Sequence, residues 1–118
     1  MTRLPPLPPE EKKEIPGATL SLISLALSEL RKDVALLLEA GWPEPVRRRA
    51  FELATTLWEA SRRQGLLEVA EASRAISGLA GLSREKALPL RAALREKFEE
   101  LLGIAQRRVA KLARRGSA

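Results

Sequence analysis

The stretch LSLISLALSELRKDVALLLE, Leu20 to Glu39, decides the fold, because its apolar residues recur at alternating intervals of three and four. This spacing places them on one face of an α-helix, and the run is too short to favour a dedicated dimer seam over a bundle core. We predict that a neighbouring stripe of small residues also faces the bundle interior, where it would let another helix approach closely. The apolar face comprises Leu20, Ile23, Leu27, Leu30, Val34 and Leu37, and the small stripe comprises Ser21, Ser24 and Ser28.

Prolines and glycines divide the remaining chain into further helices. Pro45 suits the first turn of a second helix, and Gly65 can end that helix in a left-handed conformation. A third helix is predicted over residues 66–77. Ser83 is a good N-cap for the last helical region, in which Pro89 divides a short lead-in from a long helix.

No stretch alternates apolar and polar residues as a strand does, so the chain is predicted to be all-α. Its 118 residues suffice for one hydrophobic core. Short connections favour antiparallel neighbours. We therefore predict a single-domain antiparallel bundle of about four helices over residues 17–118, preceded by a proline-rich arm over residues 1–16.

The arm admits two interpretations. Arg3, Pro6 and Pro9 fit the pattern of an extended proline-rich ligand for an aromatic groove. The favoured alternative is a lead-in that packs across the bundle through Leu4 and Leu7.

Composition bears on catalysis and on cellular location. The chain has no Cys and no His, which removes thiolate chemistry and the commonest general base and metal ligand. Most acids are glutamates beside Arg or Lys, an arrangement typical of solvated helix faces, so we predict no enzyme activity, cofactor or metal site. The absence of Asn and the heavy use of Arg and Glu are typical of thermophiles.

The longest uncharged run, residues 15–28, is shorter than the roughly 20 residues that cross a bilayer, so no membrane association and a cytoplasmic location are expected.

Positive charge is concentrated at the end of the chain. Residues 1–45 carry five Lys or Arg and seven acids, whereas residues 46–118 carry sixteen Lys or Arg and eight acids. A basic helix of this kind could contact phosphates, so nucleic-acid binding is one hypothesis. Against it, cations also suit any helix C-terminus, and no aromatic residues interleave to stack bases. The candidate phosphate contacts are Arg107, Arg108, Lys111, Arg114 and Arg115.

A second indication of nucleic-acid binding is the segment AISGLAGLSREKAL, Ala75 to Leu88, which with its flank to residue 90 resembles a helix-turn-helix. In this comparison Ser83 begins the second helix. Leu88 and Pro89 stand where a recognition helix would carry polar base-reading side chains.

The segment ATTLWEASRRQGLLEVAEA, Ala54 to Ala72, resembles the AHTLKG region of histidine-phosphotransfer domains. Helix one, LSELRKDVALLLEAG, is similar to the preceding helix of that family. The resemblance implies a four-helix bundle that exchanges phosphate with receiver domains. The matched letters are Ala54, Thr56, Leu57 and Gly65.

The residues at the family's functional positions differ here. Thr55 stands at the place of the phosphorylated His, and Trp58 and Glu59 stand at the places of its Lys and Gly. A chain without His cannot transfer phosphate through an imidazole. We therefore expect a non-catalytic interaction or adaptor module that binds a protein partner through a face with Thr55, Trp58 and Glu59, and homo-oligomers are compatible with this interpretation.

Overall fold

The computed structural model describes residues 15–117, and side chains as far as Arg115. Within this range the chain forms four long helices and a short helical connection. The bounds are α1 Gly17–Glu39, α2 Glu44–Arg63, α3 Leu67–Ala80, α4 Arg84–Ala87, a 3₁₀ turn Leu88–Leu90, and α5 Arg91–Ser117. The two interpretations of the arm, with Arg3, Leu4, Pro6, Leu7 and Pro9, fall outside the described residues.

The long helices surround one core in an up-and-down order. α2 packs against α1 and α3, and α5 closes the ring by packing against α3 and α1. The described residues contain no strand, so the prediction of an all-α single-domain antiparallel bundle is confirmed. None of the described helices combines the length and the apolarity needed to cross a bilayer.

The apolar face of α1 is the core face, as predicted. All six residues of that face are at most 6% exposed, and Leu27, Leu30 and Leu37 are completely buried. The prediction for the small stripe is wrong, because Ser21, Ser24 and Ser28 are exposed. They line a hollow between α1 and the end of α5, since their short side chains do not fill the space beside that helix.

Two glycines with positive φ end helices, and for Gly65 this confirms the prediction. Gly41 follows α1 with a φ of +84°, and Gly65 follows α2 with a φ of +78°. At each end the backbone amide of the residue after the glycine donates to a carbonyl in the last turn of the helix. Trp42 N donates to the Leu37 carbonyl and Leu66 N to the Ser61 carbonyl, both at 2.8 Å. This is the Schellman arrangement, and it turns the chain sharply into the next helix.

Trp42 caps one end of the bundle. It is 1% exposed, its indole Nε1 donates to the Leu82 carbonyl at 2.8 Å, and its ring lies 6.4 Å from that of Phe98. Its own φ of 66° is in the left-handed region, which is rare for a bulky residue. The tertiary contacts of the indole therefore hold a backbone conformation that the residue disfavours.

The predicted end of α3 is wrong by one turn. The helix continues through Gly78 to Ala80. A glycine inside a helix costs only about 1 kcal/mol, and burial of Ala80 and partial burial of Leu79 offset that cost. The predicted boundary at Ser83 is confirmed, since its hydroxyl accepts a bond from Lys86 N.

Candidate functional site

The outer edge between α2 and α3 carries Thr55, Trp58 and Glu59, the residues that the resemblance places at functional positions. Thr55 and Trp58 are half-buried, and Glu59 is exposed. Thr55 and Glu59 are one helical turn apart and share a face of α2. Thr55, Trp58 and Glu59 thus lie on one accessible stretch of helix, as the sequence predicts. Thr55 and Trp58 are only partly exposed.

Thr55 bridges the two helices. Its Oγ1 donates to the Phe51 carbonyl at 2.9 Å, in its own helix, and lies 3.1 Å from Ser77 Oγ on α3. Because the Thr55 proton is directed to Phe51, the Ser77 hydroxyl is free to donate to Thr55. The position that the resemblance assigns to the phosphorylated His therefore holds a short hydroxyl engaged in interhelical contacts.

Two guanidinium groups flank the Trp58 ring. Arg62, one turn further along α2, has its Cζ 5.8 Å from the ring centroid, and Arg74 on α3 has its Cζ at 5.7 Å. Both arginines are exposed. Such cation–π contacts contribute about 0.5 to 1 kcal/mol each at exposed sites and hold the indole in one orientation. We call Thr55, Trp58, Glu59, Arg62 and Arg74 the Trp58 face.

Sequence reasoning missed Arg74 and assigned Arg62 only to the helix end. A signal for Arg74 exists in the spacing around the turn at Leu66. Thr55 and Ser77 are equally distant from Leu66 in sequence, and so are Trp58 and Arg74. In an antiparallel helix pair with a short turn, residues equally distant from the turn lie opposite each other.

The candidate phosphate contacts on α5 lie on a single face of the helix. At 100° per residue, all five cations fall within about a third of the circumference. Arg107, Lys111, Arg114 and Arg115 are exposed. Arg108 is half-buried, and its Nε lies 3.5 Å from Glu68 Oε1 on α3. We call the four exposed cations the basic stripe.

The segment resembling a helix-turn-helix does not form two helices of that motif. After α3 ends at Ala80, the second helix, α4, is a single turn of four residues. Pro89 then lies in the 3₁₀ turn, because its ring prevents a continuous α-helix from Ser83. A four-residue turn is too short to serve as a recognition helix in the major groove.

The described acids do not assemble a metal site, since no three of them converge within residues 15–117. Comparison of the chain with protein-family models, with curated proteins and with solved structures finds no match.

Proposed function

We propose that the chain is a non-catalytic binding module that docks a protein partner through the Trp58 face. The observation that carries the proposal is a half-buried tryptophan whose ring is contacted by two exposed arginines. Tryptophan and arginine are the residues most enriched among interface hot spots, where fixed orientation lowers the cost of binding. The bundle would thus present a preorganised anchor with little conformational entropy to lose.

The positive charge of this face favours a partner with an acidic surface. Arg62 and Arg74 border the indole, and Glu59 is the single acid of the face. An acidic surface complements this pattern and would speed association at low salt. The resemblance to histidine-phosphotransfer domains points to a receiver-type domain, bound without phosphate transfer because the chain has no His.

The direct test is calorimetric titration of the chain with a panel of receiver domains from its own organism. Trp58→Ala should weaken the complex at least about 30-fold, since a hot-spot truncation costs 2 kcal/mol or more. Leu90→Ala is the matched control, because Leu90 is 51% exposed and lies outside the Trp58 face. Equal affinity of the two variants would contradict the proposal.

The electrostatic part is tested by charge reversal. Arg74→Glu should weaken binding more at low salt than at high salt, whereas Arg95→Glu on α5 makes the same change of charge away from the face. If both variants lose affinity equally, only the net charge matters, and the Trp58 face is not the docking surface.

The basic stripe favours a second function, nucleic-acid binding. Four exposed cations on one helix face, without an acid after Glu100, could neutralise about four phosphates. The logarithm of affinity for duplex DNA should then fall with the logarithm of salt with a slope of about −4. No binding to DNA or RNA at low salt would exclude this function.

A triple substitution separates this function from general charge effects. Arg107→Gln, Lys111→Gln and Arg114→Gln together remove three phosphate contacts. Because each contact contributes about −0.9 to the salt slope, the slope should become less negative by about 2.7. The control substitutes Gln for Arg84, Arg91 and Arg95, which are also exposed. An equal loss in both triple variants would show that the stripe is not the contact surface.

A further inference from the structure

α1 carries a second regular seam on the side opposite the core. Its members recur at intervals of four, three, four, three and four, which is the spacing of a heptad seam. The leucines among them are strongly exposed, Leu22 at 67%, Leu25 at 60% and Leu36 at 45%. The outer seam of α1 consists of Ala18, Leu22, Leu25, Glu29, Lys32 and Leu36.

The two leucines at the start of this seam form a ridge between two hollows. A hollow of about 850 Å³ lies toward α5, and one of about 590 Å³ lies toward α2. Leu25 lines both hollows, and Leu22 lines the second. The two hollows leave Leu25 uncovered on both of its sides, so a helix of a second copy can reach it.

Charge along the seam is suited to a second copy of this chain. The whole protein carries a net charge of +6, which opposes self-association in general, whereas the six seam residues carry no net charge. Residues 15–28 carry no charged side chain. The seam then holds one acid and one base, Glu29 and Lys32, whose carboxylate oxygen and ammonium nitrogen lie 3.8 Å apart and remain largely exposed.

We propose that two copies of the chain form a homodimer in which their outer seams of α1 pack antiparallel. A parallel arrangement would place Glu29 beside its own equivalent and Lys32 beside its own equivalent, which repels. In the antiparallel arrangement each charge can face the opposite charge of the other copy. The proposal does not depend on the Trp58 face or on its partner.

The sequence of the seam also selects the register. With the two-fold axis at the level of Leu30 and Arg31, Leu25 of each copy meets Leu36 of the other and Glu29 meets Lys32, while Leu22 lies opposite Glu39 at the outer end of the contact. Sliding by one heptad in one direction sets Leu25 against Glu29 at the centre of the contact, where a charge is buried most deeply. Sliding in the other direction sets Glu29 against Glu39, so both neighbouring registers are unfavourable.

Sedimentation equilibrium of the full chain tests the dimer. We expect a species of twice the 13.0 kDa chain mass at micromolar concentration. Leu25→Glu should raise the dimer dissociation constant at least about 100-fold, because two carboxylates enter the interface. Leu90→Glu, at a similarly exposed leucine, should leave it unchanged. A monomeric wild type, or a dimer insensitive to Leu25→Glu, would overturn the proposal.

Disulfide trapping tests the orientation, because the chain has no native Cys. The double variant Leu25→Cys with Leu36→Cys should form a covalent dimer on mild oxidation. Each single variant should not, because equivalent positions lie far apart in this register. Efficient cross-linking of a single variant, or none in the double variant, would overturn the antiparallel register.

Charge reversal provides a test that does not rely on introduced thiols. Glu29→Lys or Lys32→Glu alone should weaken the dimer about tenfold or more, since like charges then face each other. The double reversal restores opposite charges across the axis and should recover most of the affinity. Failure of the double variant to recover would contradict the pairing of Glu29 with Lys32.

Discussion

Substitution of Trp42 tests how tertiary contacts hold an unfavourable backbone at the end of α1. Trp42→Ala removes a buried indole and should cost about 3 to 5 kcal/mol of folding free energy. Alanine also keeps the left-handed penalty of about 1 to 2 kcal/mol at a φ of 66°. Glycine has no such penalty, but its greater conformational freedom in the unfolded chain destabilises the folded state by about 0.5 to 1 kcal/mol.

Trp42→Gly should therefore be about 0.5 to 1 kcal/mol more stable than Trp42→Ala, the reverse of the order expected inside a helix. Trp42→Phe keeps most of the apolar volume and loses the bond to the Leu82 carbonyl, at a cost of about 1 to 2 kcal/mol. Urea denaturation followed by far-UV circular dichroism gives all three values. An alanine variant as stable as the glycine variant, or more so, would refute the left-handed conformation at Trp42.

Four further substitutions test other parts of the fold. Leu27→Ala should destabilise the bundle by about 2 to 5 kcal/mol, and an unchanged melting temperature would show that Leu27 is not in the core. Gly78→Ala, in open space within α3, should stabilise by about 0.5 to 1 kcal/mol, whereas Gly65→Ala, at a φ of +78°, should destabilise; the same sign for both would contradict these conformations. The pKa of Glu44 is lowered, chiefly by its hydrogen bonds from Arg47, so this contact stabilises the fold above the ordinary pKa of the carboxyl and is lost as pH falls through the folded value. Glu44→Gln should therefore lower the urea midpoint at neutral pH but not in strong acid, and a difference that persists in acid would exclude this linkage.

The parts of the fold that depend on local sequence were predictable. The core face of α1 follows from the spacing of its leucines, and the ends of α1 and α2 follow from Gly41 and Gly65, because helix periodicity and left-handed caps are local properties. The end of α3 was not predictable from its glycine. Tertiary packing of Ala80 decides it, and that packing depends on residues far away in sequence.

The candidate site shows the same limit. Trp58 stands out in the sequence as one of two tryptophans, but its contact with Arg74 depends on the register between α2 and α3. The exposure of Ser24 likewise depends on how α5 lies beside α1. Equal spacing from the turn at Leu66 indicates the first arrangement, whereas the second is set by packing between helices that are distant in sequence, which helix periodicity does not encode.

The fluorescence of Trp58 tests the proposed docking face most directly. In the Trp42→Phe variant, Trp58 is the sole tryptophan and reports on its own surroundings. We predict that titration with the receiver domain bound in the panel shifts its emission to shorter wavelength and protects it from acrylamide quenching. In the reciprocal Trp58→Phe variant, the buried Trp42 should show neither change. A partner that binds while the emission and quenching of Trp58 stay unchanged would contradict docking through the Trp58 face.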